Sequence, residues 1–115
     1  MELELEIETR DPSALVKSWE IGVPMELSDG ADLVYKGPVF MKAHVEIGQI
    51  LRFVVRAAEN LDGALFAQAL YDNLRGTFRQ ITRITVNTKT VITTITEDIF
   101  QQTIIQVIKE SRTKQ

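Results

Sequence analysis

Residues 2–8 read ELELEIE, an unbroken alternation that sets Leu3, Leu5 and Ile7 on one side and Glu2, Glu4, Glu6 and Glu8 on the other. A period of two belongs to a strand with one buried face, so the chain opens with a strand. Asp11 precedes Pro12, a favoured helix cap ahead of a residue suited to the first helical turn; a short helix is expected to run through Trp19 and end near Gly22 and Pro24. From Gly22 to Pro38 the pattern is broken by Gly22, Pro24, Gly30, Gly37 and Pro38. The segment reads as turns around one extended piece at Leu33–Tyr35.

Between His44 and Arg75 apolar residues recur at helical spacing. Ile47, Ile50, Leu51, Val54, Ala58 and Leu61 make one stripe opposite Arg52, Arg56 and Glu59. Carried further, the stripe would bury Gln68 and Asp72 and expose Phe66, Leu70 and Leu74. It must therefore change face at Asp62 and Gly63, by a kink or by a break into two helices, with Gly76 as a left-handed cap at the end. Residues 80–96 are rich in Thr, Ile and Val, which suit a pleated surface, and Asn87 to Thr90 offers the turn of a hairpin. Pairing Val86 with Val91 would place Ile84, Val86, Val91, Thr93 and Ile95 on one face and Arg79, Arg83, Asn87 and Lys89 on the other. Thr96 caps a last helix with Glu97 and Asp98 in its first turn and Phe100, Ile104, Val107 and Ile108 as its buried stripe.

The elements predict an α+β fold in one domain over residues 1–115: a small, mainly antiparallel sheet built from the N-terminal strand and a hairpin in the C-terminal half, with a long or broken central helix and a C-terminal helix packed on one face. Charge refines the strand order. Four glutamates along one strand face repel, and a hairpin carrying Arg79, Arg83 and Lys89 relieves them as a neighbour.

Composition narrows the chemistry. With 13 Lys and Arg against 16 Asp and Glu, the net charge is −3, which argues against a nucleic-acid partner. Arg75, Arg79 and Arg83, and Lys109, Arg112 and Lys114 at the C-terminus, are the two basic clusters that run against that average, and both read as a solvated helix end and strand face. The absence of cysteine removes disulfides, thiolate nucleophiles and sulfur-bound zinc, and suits a cytoplasmic protein. The acidic N-terminus does not read as a secretion signal. The apolar stretch from Ile50 to Ala58 contains Arg52 and Arg56, so no membrane span is expected. His44, the single histidine, forms an H-x-E pair with Glu46, but the cysteines that complete that motif in zinc deaminases are missing. Glu26, Asp29 and Asp32 lack calcium-loop spacing, no phosphate-binding glycine loop occurs, and Glu59, Asp62 and Asp72 fall on different helix faces. No catalytic, cofactor-binding or metal-binding residue is therefore assigned.

What remains favours a protein-protein interaction module over an enzyme: an adaptor or inhibitor whose apolar surplus is covered by a protein partner or by a second copy, through a sheet edge or the broken central helix. Trp19, Tyr35, Phe66 and Tyr71 are the aromatic candidates for such an interface, and Arg79 and Arg83 the basic ones. The alternative is a small enzyme or ligand-binding domain with a pocket between sheet and central helix, its polar groups drawn from Glu46, Tyr71 and Asp72.

Overall fold

A computed structural model describes residues 1–11, 19–28, 30–39, 49–58, 60 and 62–113. The strands are β1 (Glu2–Thr9), β2 (Pro24–Ser28), β3 (Ala31–Val39), β4 (Gln49–Ala57), β5 (Ile81–Val86) and β6 (Thr90–Ile92); the helices are α1 (Gly63–Leu74) and α2 (Glu97–Thr113), with a 3-10 helix at Arg75–Gln80 after α1. The strands form one sheet in the order β2-β3-β4-β1-β5-β6, every neighbouring pair antiparallel. The fold is thus α+β, with the N-terminal strand, the C-terminal-half hairpin and the C-terminal helix where the sequence predicts them. The predicted helix after Asp11 lies outside the described residues.

Alternation sorts the sheet into two faces. Leu3, Leu5 and Ile7 of β1 meet Leu51, Phe53 and Val55 of β4 in register, and all six are essentially fully buried. Ala31, Leu33 and Tyr35, then Ile84, Val86 and Ile92, extend this inner face to both sides. The helices close it with Phe66, Ala67, Leu70 and Leu74 from α1 and Phe100, Ile104, Val107 and Ile108 from α2. α1 lies beside β2 and α2 beside β6, and the two helices pack on each other.

The largest departure from the sequence reading is at 49–57, expected to be the first half of the central helix and found as β4, deep in the sheet. The physical reason is that a spacing of four residues keeps side chains on one face in both a helix and a strand. Ile50 with Val54, and Arg52 with Arg56, therefore look helical, yet all four lie on the outer sheet face while Leu51, Phe53, Val55 and Ala57 point inward. The break at Asp62–Gly63 is real. Asp62 is the N-cap of α1, and its Oδ1 accepts from the N–H groups of Ala64 at 2.9 Å and Leu65 at 3.3 Å.

Two further corrections concern turns. The segment 22–38 contains two paired strands instead of turns around a single extended piece, because Gly30, at φ +82°, reverses the chain between β2 and β3. Gly37 adopts φ +97° where the β3–β4 register shifts, and a Cβ there would meet Ile21 at 3.4 Å. Gly76 is no left-handed cap; α1 runs directly into the 3-10 helix.

Candidate functional site

The hairpin that forms β5 and β6 pairs one residue away from the expected register: Val86 faces Thr90, Thr85 faces Val91 and Ile84 faces Ile92. A slip of one exchanges the faces of a strand. Ile92 thus enters the core, while Val91 turns outward with 53% of its surface exposed. The cause is the turn. Asn87 and Thr88 both take left-handed backbone conformations, at φ 52° and 61°. Asn87 is held there by β1: its N–H donates to the Glu4 carbonyl at 2.8 Å, and its Oδ1 accepts from the Glu4 N–H at 2.9 Å.

That bond fixes which way the backbone faces. Since Asn87 points its N–H toward β1, alternation points the amides of Val86 and Ile84 toward β6. Their partners Thr90 and Ile92 pair back to β5, which leaves the N–H and C=O of Val91 on the far side. Among the described residues no strand pairs with that side. Next to it lies a hollow of about 330 Å³ lined by Thr90, Gln102, Thr103, Gln106, Val107 and Glu110. It adjoins a second hollow of about 180 Å³ that reaches Asn87, Lys89 and Ser111. Together they form a groove between the β6 edge and α2, walled mainly by uncharged amides and hydroxyls.

The opposite edge of the sheet is built differently. β2 starts with Pro24, which has no N–H to offer, carries exposed Glu26, and shifts register between Glu26 and Ser28. These features discourage strand addition. Ile21 and Val23 are exposed just before it, by 63% and 53%, but the hollows beside a strand edge described above lie at β6.

The outer face of the sheet is a charged surface. Arg52 of β4 lies 3.3 Å from Glu4, Arg83 of β5 lies 4.0 Å from Glu8, and Arg56 bonds Asp32 at 2.9 and 3.3 Å. The predicted neighbourhood of β1 and the hairpin is therefore present, and β4 supplies a second row of cations on the other side. A hollow of about 170 Å³ on this face is lined by Glu6, Glu8, Ile50, Arg83 and Thr85.

The sequence-predicted residues scatter. Trp19 is half-buried and stacks edge-on against Phe53 with ring centres 5.2 Å apart; Tyr35 also lies 5.2 Å from the same ring, tilted by 36°. Burial raises the Tyr35 hydroxyl above the ordinary tyrosine pKa. Phe66 is fully buried, so its ring belongs to the core. Tyr71 packs edge-on against Phe78 at 5.1 Å. Arg79 is exposed on the 3-10 helix, and Arg83 sits on the outer sheet face.

The carboxylates are largely accounted for by structural roles. Asp32 is held by Arg56, Asp62 caps α1 and Asp72 accepts from Gln68 at 3.0 Å. His44, Glu46, Asp29 and Glu59 lie outside the described residues. Among the described residues no group of three His, Cys, Asp or Glu is placed to hold a metal ion, and no helix is long and apolar enough to cross a membrane. Beneath α1, where the alternative reading requires a pocket, Phe66, Ala67, Leu70 and Leu74 fill the space against the sheet.

Sequence reasoning missed Val91, Gln102 and Gln106. The hairpin turn carried the signal, since Asn87 tolerates a positive φ, and a three-residue loop over Asn87–Lys89, which pairs Val86 with Thr90, would have set Val91 outward. Comparison with protein-family models, curated proteins and solved structures finds no match to this chain.

Proposed function

We propose that this domain is a protein-protein interaction module of the adaptor or inhibitor type, which binds an extended segment of its partner by strand addition along β6. The observation that carries this reading is the open backbone of Val91 beside the amide-lined groove of α2. An incoming strand takes its main-chain hydrogen bonds from the edge and places alternate side chains into the groove. Gln102 offers donors and an acceptor, and Gln106, whose Nε2 donates to Glu110 at 3.3 Å, keeps a second N–H and its Oε1, so both serve a partner's backbone in either polarity. Val91 and Ile99, exposed by 53% and 40%, supply apolar contact above and below the new strand. A chain without cysteine suits such work in the cytoplasm.

The test is a panel of synthetic nine-residue peptides rich in β-branched residues, titrated into the full chain up to about 1 mM, a weak-binding limit near −4 kcal/mol, with amide shifts followed by NMR. Peptides that bind should move the backbone amides of Thr90–Ile92 and the side-chain amides of Gln102 and Gln106. Binding that perturbs only the β2 edge or the outer sheet face, or no binding across the panel, would overturn the reading.

A further inference from the structure

Resting on the strand-addition reading, we infer that the segment occupying the β6 edge is the same edge of a second copy of this chain, antiparallel and related by a two-fold axis at Val91. Four observations converge on that occupant. The first is sequence: Thr90–Thr96 reads TVITTIT, seven consecutive β-branched residues without charge, proline or glycine, bounded by Lys89 and Glu97. Uncharged runs of high β-propensity without proline add readily to another copy at an open edge, because backbone N–H and C=O groups pair there and nothing in the run opposes it.

Geometry supplies the second. An isologous antiparallel contact can be centred on one residue that both gives and receives a hydrogen bond at the axis, and Val91 presents its N–H and C=O on the open side. Placed there, the pairing sets Thr90 opposite the partner's Ile92 and Lys89 opposite the partner's Thr93, so the two lysines stay apart.

Charge is the third. Two copies of a chain of net charge −3 repel overall. The β6 edge, Gln102, Thr103 and Gln106 carry no charge, and the groove's two charged lining residues are of opposite sign: Lys89, and Glu110, which accepts from Gln106 at 3.3 Å. Because glutamine both donates and accepts, an amide-lined groove complements itself.

Area is the fourth. A three-residue ladder falls well short of the roughly 1,200–2,000 Å² that a specific interface buries. The remainder comes from α2, a helix of about 25 Å that lines the groove beside β6 with Gln102, Thr103 and Gln106. The two six-stranded sheets become one continuous sheet, flanked on a single face by both pairs of helices.

The experiment uses light scattering on the full chain across a dilution series, with three variants at exposed positions. The expected mass is twice the chain's 13.0 kDa at high concentration, falling toward the monomer on dilution. Val91→Lys and, independently, Thr93→Lys, which opposes the partner's Lys89, should each move the midpoint to at least tenfold higher concentration, with the thermal midpoint of the monomer little changed. Val91→Cys introduces the chain's single thiol, and oxidation should give a covalent dimer, since Cα atoms about 5.5 Å apart in a hydrogen-bonded antiparallel pair lie within disulfide reach. A chain that stays monomeric throughout, or a dimer unmoved by both lysine variants, overturns the inference. The peptide panel keeps the two readings separable: a monomer that takes up foreign peptides along β6 defeats self-pairing and leaves strand addition standing, whereas a monomer that takes up none defeats both.

Discussion

Replacing Phe53 by alanine should lower the unfolding free energy by about 3–5 kcal/mol, the cost of removing a large ring from a core that cannot collapse around the void. Phe53 is fully buried near the middle of β4, with Trp19 edge-on at 5.2 Å and Tyr35 at 5.2 Å. Leu5 of β1 stands opposite it in the ladder, so the cavity opens between two central strands. Against a total stability of about 5–15 kcal/mol, such a loss leaves the variant marginal. Urea unfolding should show the midpoint falling by on the order of 2 M. Val54→Ala is the matched control. In a strand its side chain lies on the outer face and the change costs about 1 kcal/mol or less. Had 49–57 been helical, Val54 would lie on the buried stripe and Phe53 on its flank, and the two costs would be reversed.

A loss of similar size, again about 3–5 kcal/mol, is expected for Phe100→Ala. Phe100 is fully buried in α2 and meets Phe78 edge-on at 5.4 Å and Tyr71 at 6.4 Å, while Tyr71 and Phe78 meet at 5.1 Å. These three rings tie α1, the 3-10 helix and α2 to one another. Edge-to-face pairs contribute about 0.5–1.5 kcal/mol beyond the area they bury, so Phe100→Leu, which keeps most of the volume and none of the ring geometry, should recover only part of the loss. The near-ultraviolet circular dichroism of Tyr71 should weaken in both variants. An unchanged aromatic signal together with a loss under about 1 kcal/mol would mean that the helices are not joined through this cluster.

How much of this was legible in the sequence depends on which period a segment carries. β1 alternates without exception and can be read from seven residues; α2 has its cap at Thr96, whose Oγ1 accepts from Ile99 N–H at 3.3 Å, and an apolar stripe that fits only a helix. β4 was not legible, because Ile50/Val54 and Arg52/Arg56 satisfy both periods and the deciding fact is tertiary: β1 and β3 lie on either side of it. β2 and β3 were partly legible, since Asp29–Gly30 is a hairpin signal between two apolar runs, although proline and glycine nearby obscured it. The candidate site was the least legible part. Its defining feature is which way one amide of Val91 points, and that follows from a turn register set by contact between Asn87 and Glu4, residues 83 positions apart.

That single amide also offers the most direct test. Hydrogen exchange followed residue by residue in dilute protein should find the amides of Thr90 and Ile92 slowed by their bonds to β5 and the amide of Val91 exchanging near the rate of an unprotected backbone. On addition of a bound peptide, or at concentrations where the chain pairs with itself, the Val91 amide should slow by at least tenfold while its neighbours change little. A Val91 amide as protected as Thr90 and Ile92 in dilute protein, or one that stays fast when a partner is bound, would contradict the claim that β6 is the open edge through which this domain binds.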